Sequence, residues 1–256
     1  MDKKEIRKQL KHNFLKNLIF RIDYQGLIDC DVDDYVKSIR EKIYDRGYTN
    51  LEEVYMSHDD QESQREFVFK SVNGKELNIS KTRMIVEIDT TKNETLFSKY
   101  MPLIIDLIKE LNKLQYVHIQ MIGLRKVNCC IVYNEKDIAT FFTNKAIALF
   151  SNKTITSHFG EEMVFDDMNV KYNRSVTKGR ILKRKKEQEA YQIILDIEGT
   201  TNIQKKISDQ DIQIILKNIN DKIYEFYIDS LTDQFINELL ENDFKNTQIN
   251  GVMKNA

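Results

Sequence analysis

Residues Ile119–Tyr133 read IQMIGLRKVNCCIVY, a run of apolar and often β-branched side chains that is typical of a buried strand. Arg125, Lys126 and Asn128 interrupt this run. A charged side chain in a core strand must be paired, extend its stem toward water or face a wet surface. We therefore predict that Arg125 is largely buried and paired with a carboxylate. The candidate partners are Asp23, Asp89, Asp196 and Glu198.

Outward from this strand, hydrophobic periodicity divides the rest of the chain into further strands and helices. The predicted strands are Leu18–Tyr24, Phe67–Val72, a return strand with Leu77 and Ile79, Met84–Ile88, Thr154–Phe159, Val170–Val176, Arg180–Lys185 and Tyr191–Ile197. Asn73-Gly74 is a strong hairpin signal, and Lys178-Gly179 indicates a second hairpin turn. Four helical segments are predicted. The first begins after Asp31 and ends before Gly47, the second covers residues 95–114, and the third covers Asp137–Phe142. The fourth runs from Ser208 to Leu240 and is broken near Asp229.

Together these elements predict an α+β fold with an antiparallel-rich sheet, helices packed on one face and a long C-terminal helix. Residues 1–149 read as a β-α-β-β-β-α-β half. Residues 150–256 supply the basic hairpin, a core strand and the C-terminal helices. We expect the two halves to form one compact unit.

Composition excludes several classes of protein. The 256 residues include 39 Lys and Arg against 40 Asp and Glu, so no overall charge favours nucleic acid or a membrane. Cys30, Cys129 and Cys130 form a poor disulfide framework. The first residues carry charges without an apolar segment, so we expect no signal peptide and a cytoplasmic location. No phosphate-binding loop, zinc motif or nucleophile motif is present, and we predict no cofactor.

Acidic residues could form a catalytic or metal site. Asp196 and Glu198 share one face of a strand because they are two residues apart. Asp23 and Asp89 could join them if their strands are neighbours, which would create an acidic site of nuclease type. The alternative is that these carboxylates face solvent at strand ends. An unrecognised metal-dependent enzyme is therefore one hypothesis, although the chain as a whole does not read as an enzyme.

A cluster of basic residues without acidic ones is the main local charge anomaly. It comprises Lys171, Arg174, Lys178, Arg180, Lys183, Arg184, Lys185 and Lys186. A basic hairpin of this kind could follow a nucleic-acid backbone or contact a protein partner. The alternatives are a solvated hairpin or pairing with the acidic residues 161–167 just upstream.

The order of short motifs resembles a sporadically distributed bacterial protein family with a mid-chain Gly-Leu-Arg-Tyr-Ile-Asn type motif. The matching residues are Gly123, Leu124, Arg125 and Asn128, with the hairpin Phe69–Gly74, the strand Ile194–Gly199 and the Ser230–Thr232 step. Lys126 stands where the family motif has tyrosine, Gln120 or Met121 where it has its first arginine, and Glu198 where it has a second aspartate. The resemblance implies a single α+β unit that self-associates, near phage-defence genes, and it implies no reaction.

We therefore expect a non-enzymatic binding or assembly protein that acts with a protein partner in bacterial defence or regulation. Self-association as a homodimer is also expected, because the closing helix is unusually rich in apolar residues. These residues are Phe226, Tyr227, Leu231, Phe235, Ile236, Leu239 and Leu240.

Overall fold

The computed structural model of the chain describes residues 3–10, 13–56, 64–114, 116–147, 155–183, 186–204, 207–241 and 247–249. Its strands are β1 (Leu15–Gln25), β2 (Asn50–Met56), β3 (Gln64–Lys70), β4 (Lys75–Ile79), β5 (Arg83–Asp89), β6 (His118–Val132), β7 (Thr156–Phe165), β8 (Met168–Lys183), β9 (Lys186–Asn202) and β10 (Thr247–Ile249). Its α-helices are α1 (Lys3–Gln9), α2 (Asp29–Tyr44), α3 (Met101–Asn112), α4 (Glu135–Phe141), α5 (Asn144–Ile147), α6 (Asp209–Asp229) and α7 (Asp233–Glu241). The predicted α+β class is confirmed.

All strands belong to one antiparallel sheet in the order β2-β3-β4-β5-β1-β6-β9-β8-β7, and β10 pairs with the end of β6. The two halves predicted from the sequence meet where β6 pairs with β9. The opening stretch of the sequence therefore forms the centre of the sheet, with β1 on one side and β9 on the other.

The main helices cover one face of the sheet. Along β1 the side chains of Leu18, Phe20 and Ile22 are buried beneath this helix layer, while the residues between them are only half-buried. α2 is tied to α3 by a hydrogen bond from the Tyr35 hydroxyl to the Leu107 carbonyl oxygen (2.9 Å). We call the opposite surface of β4 to β9 and β1 the open face. None of the helices in the described ranges is long and apolar enough to cross a membrane.

The apolar residues of the closing helices belong to the core of the same chain. Phe235 of α7 is fully buried, and its ring lies 5.8 Å from Phe14 and 4.9 Å from Phe141 between centroids. Of the seven residues that motivated a dimer interface, Leu240 is half-buried and the other six are buried. The expected homodimer thus loses the surface on which it was based, because these side chains fill the space between α4, α6 and the sheet.

The predicted hairpin turn at Lys178-Gly179 is wrong. β8 continues through both residues, and Gly179 pairs with Ala190 in the middle of the β8–β9 ladder. Two cross-strand ion pairs flank this position: Lys178 with Glu189 (3.0 Å) and Arg180 with Glu187 (3.4 Å). Continuous pairing of this kind lets the ladder accommodate a glycine that would otherwise weaken a strand.

Candidate functional site

Arg125 lies on the open face and makes a two-pronged ion pair with Asp196. Its Nε and one terminal nitrogen donate to the two carboxylate oxygens at 2.7 and 2.6 Å. The predicted pairing is therefore observed, but the predicted burial is wrong, because 43% of the arginine side chain is exposed. The guanidinium reaches water because β6 directs position 125 away from the helix layer. Hydrogen bonding to Asp196 raises the pKa of Arg125 above its ordinary value.

Lys126 points to the other side of the same strand, into the helix layer. Its Nζ donates a hydrogen bond to Oδ1 of Asn220 on α6 (2.5 Å), and Asn220 is itself buried. Burial, and secondarily the positive charge of Arg7, lower the pKa of Lys126 from 10.5 to about 7. One strand thus places adjacent cations in two environments: Arg125 is ion-paired on the open face, whereas Lys126 is half-buried under the helices and bound to an amide.

A row of outward-facing residues crosses seven strands of the open face at the level of Arg125. Each member is the cross-strand neighbour of the next, so the row spans about 29 Å at the usual strand spacing. In sheet order it consists of Glu76, Glu87, Ile19, Arg125, Glu198, Lys171 and Glu162. Four carboxylates face two cations, so the row carries a net negative charge.

Apolar and polar side chains border this acidic row. On one side Val127, Asn17 and Asn173 continue the next level of the sheet, and Ile194 lies one level further along β9. On the other side Arg21 makes a two-pronged pair with Asp23, with both distances 2.8 Å. The open face is therefore a mosaic of half-exposed aliphatic groups and fixed charges.

The four carboxylates of the hypothetical acidic site do not converge. Asp23 pairs in register with Arg83, whereas Asp89 lies at the opposite end of the same β1–β5 ladder. Asp196 is bound by Arg125, and Glu198 sits between Arg125 and Lys171. No group of three or more His, Cys, Asp or Glu within the described ranges is arranged to hold a metal ion.

The basic cluster is divided between two faces and is largely paired. Lys171 lies on the open face, 3.8 Å from Glu162, whereas Arg174 is buried on the helix side and pairs with Glu161 (3.1 Å). The Arg174 guanidinium also lies 4.5 Å from the ring centroid of Phe159 and 4.6 Å from that of Tyr172. Lys178 and Arg180 make the cross-strand pairs given above. The side chains of Lys183, Arg184, Lys185 and Lys186 lie outside the described residues.

The remaining motif residues have structural positions. Leu124 is buried in the core, and Gly123 lies in the open face between Arg21 and Thr200. Asn128 is buried and donates to the carbonyl oxygen of Leu195 (3.1 Å), at the point where the β1–β6 register shifts. Only Arg125 among the four motif residues presents a charge to solvent.

The sequence reasoning missed the acidic row and the Lys126–Asn220 contact. The alternation of Arg125 and Lys126 along a strand was a usable signal for opposite faces, but their partners lie 71 and 94 residues away in the chain, respectively. Comparison of the chain with protein-family models and with curated proteins finds no match. The class defined by the fold and the site is thus an α+β protein with an open-faced antiparallel sheet.

Proposed function

We propose that the protein is a binding module that docks a protein partner on the open face of its sheet. The acidic row is the observation that carries this proposal. It provides fixed charges on a rigid scaffold, and half-exposed aliphatic side chains lie beside it. A surface on which charged and polar groups surround apolar side chains is typical of a protein interface.

The charge balance of the row specifies the chemistry of the partner. Glu87 and Glu198 are not ion-paired at close range within the described part of the chain, whereas Arg125 and Lys171 have carboxylates beside them. A partner would therefore offer lysine or arginine to these two glutamates. It would also offer apolar side chains to Ile19 and to its neighbours on the open face. The bacterial defence or regulatory setting is what the family resemblance implies for such a module.

Nucleic-acid binding is less well supported by the geometry. A phosphate backbone is attracted by a surface of one positive sign. The open face is net negative, Arg174 is buried on the opposite side, and the other described basic residues have acidic partners nearby. An unrecognised enzyme is also less well supported, because the expected carboxylates are spread over the sheet.

Reversing the charge of the row tests the proposal. In the variant Glu87→Lys/Glu198→Lys, two half-buried carboxylates of the open face become cations. The matched control Asp34→Lys/Glu225→Lys makes the same change on exposed positions of α2 and α6. Affinity for a protein captured by the wild-type chain should fall at least tenfold in the first variant and less than twofold in the control.

Covalent trapping locates the contact independently of affinity. A photoreactive amino acid at Val127, on the open face, should form an adduct with the captured protein. The same group at Tyr44, which is 62% exposed on the helix layer, should form none. Equal affinity of both charge variants, or crosslinking from Tyr44 instead of Val127, would show that the partner binds elsewhere.

A further inference from the structure

A cavity lies on the helix side of the sheet, opposite to the acidic row, where the end of α2 meets the beginning of α3. It is a cavity of about 320 Å³. Its lining residues are Arg46, Tyr48, Lys75, Asn93, Glu94, Lys99, Tyr100, Pro102 and Leu103. The volume lies at the lower end of the range of small-molecule sites.

The charges around this cavity favour an anion. Arg46, Lys75 and Lys99 line it, against the single carboxylate of Glu94. Arg46 is held by Asp106 (2.5 Å), and Lys99 lies 3.3 Å from Glu94. Lys75 has no carboxylate within ion-pair distance in the described part of the chain, and its Nζ contacts only the Arg46 carbonyl oxygen at 3.4 Å. The lining is thus a cationic concavity with one uncompensated ammonium.

Two further features point the same way. The first turn of α3 contributes Pro102 and Leu103, and the amino end of a helix carries partial positive charge that attracts anions. Tyr48 is 98% buried, and its hydroxyl has no hydrogen-bond partner among the described residues. The Tyr100 hydroxyl, by contrast, donates to the Glu94 carbonyl oxygen (2.7 Å). A buried phenol without a partner is unusual, and a ligand oxygen would satisfy it.

We infer that this cavity binds a small molecule that carries a phosphate group. Lys75, Lys99 and the first turn of α3 would hold the phosphate, and the Tyr48 hydroxyl would donate to one of its oxygens or to the group next to it. The site is separate from the open face, because Lys75 of β4 lies on the helix side of the sheet, opposite to Glu76, and the other lining residues belong to the helix layer and to the loops that border it. The protein would then combine a partner surface with a separate site for a phosphorylated ligand.

Isothermal titration of the intact protein with inorganic phosphate and with adenosine 5′-monophosphate, at constant ionic strength, tests the inference. The wild type should bind at least one of the two probes saturably. Lys75→Gln/Lys99→Gln should weaken that binding at least tenfold, whereas the matched control Lys109→Gln/Lys217→Gln, which removes two charges elsewhere, should change it less than twofold. Tyr48→Phe should weaken it at least threefold.

Melting curves of the ligand-free variants show whether each one folds like the wild type. The inference fails if the wild type binds neither probe. It also fails if the two lysine variants bind equally well, since the attraction would then be a general surface effect. If Tyr48→Phe has a normal melting curve and binds the probe as tightly as the wild type, the phosphate does not bind in this cavity and the inference fails as well.

Discussion

Replacing Lys126 with methionine should make the stability of the protein less dependent on pH above neutrality. Methionine keeps the length of the side chain but cannot take up a proton. In the folded protein the pKa of Lys126 is about 7, against an ordinary value of 10.5. Between these two pH values the unfolded chain binds a proton that the folded chain has released. The free energy of unfolding therefore rises with pH across this window.

The size of the effect follows from this difference in proton binding. From pH 7 to pH 9 the lysine should contribute a rise of about 2 kcal/mol to the free energy of unfolding of the wild type. Below about pH 6 both states carry the proton, so this contribution is constant and the cost of burying the ammonium is present in full. Loss of the hydrogen bond to Asn220 costs the variant about 1–3 kcal/mol at every pH and leaves the slope unchanged.

Urea unfolding followed by circular dichroism at pH 6, 7, 8 and 9 measures this effect. The difference in stability between wild type and Lys126→Met should shift in favour of the wild type by about 2 kcal/mol between pH 7 and pH 9. Lys217→Met, at an exposed position of α6, should give a difference that does not change with pH. A pH-independent difference for Lys126→Met would mean that Lys126 keeps an ordinary pKa in the folded protein.

Four further substitutions test the packing and pairing described above. Arg125→Ala should lower the free energy of unfolding by only about 1 kcal/mol in urea titrations, because its side chain is 43% exposed, and a loss above about 3 kcal/mol would indicate a buried pair. Gly199→Ala should cost about 1–3 kcal/mol, since an added Cβ would lie 2.6 Å from a side chain of α6. Gly160→Ala should cost less than about 0.5 kcal/mol, although the added Cβ would lie 2.5 Å from a side-chain oxygen, because that oxygen is the tip of the flexible Asn173 side chain. Equal melting temperatures of the two glycine variants would contradict this difference. Ser230→Ala should cost about 1–3 kcal/mol by leaving the buried Tyr172 hydroxyl without this partner, and adding Tyr172→Phe should recover part of the loss in the same unfolding assay.

Local signals in the sequence predicted much of the fold. The helical spacing of Val32 to Ile43 marked the face of α2 that is buried against the sheet. Asn73-Gly74 forms the expected turn, with Gly74 at a positive φ of 73°. Pro102 lies in the first turn of α3, where its missing N–H costs little. These features depend on a few neighbouring residues, so a single sequence contains them.

The candidate site depended on pairings between distant strands, which the sequence does not specify. The exposure of Arg125 follows from which face of β6 the helices cover, and that choice is made by contacts with α6. The cross-strand order that builds the acidic row requires β1 to insert between β5 and β6. At Lys178-Gly179 the sequence did contain a local signal, for a turn, but the structure has a continuous strand there that is paired with β9 and flanked by ion pairs. Tertiary contacts of this kind decide between local alternatives only once the chain has folded.

The adjacent cations of β6 also protect the sheet from misalignment. A slip of β6 by one residue would turn Arg125 under the helices and Lys126 out to the water. A lysine in the helix layer can release its proton, as its lowered pKa shows, but an arginine there would keep its charge. In the slipped arrangement the guanidinium would lie under the helices without the Asp196 carboxylate that pairs with it in the native alignment, which disfavours the slipped alignment. The order arginine then lysine acts as an alignment mark, and exchanging the two residues should yield more misfolded chain than either single replacement.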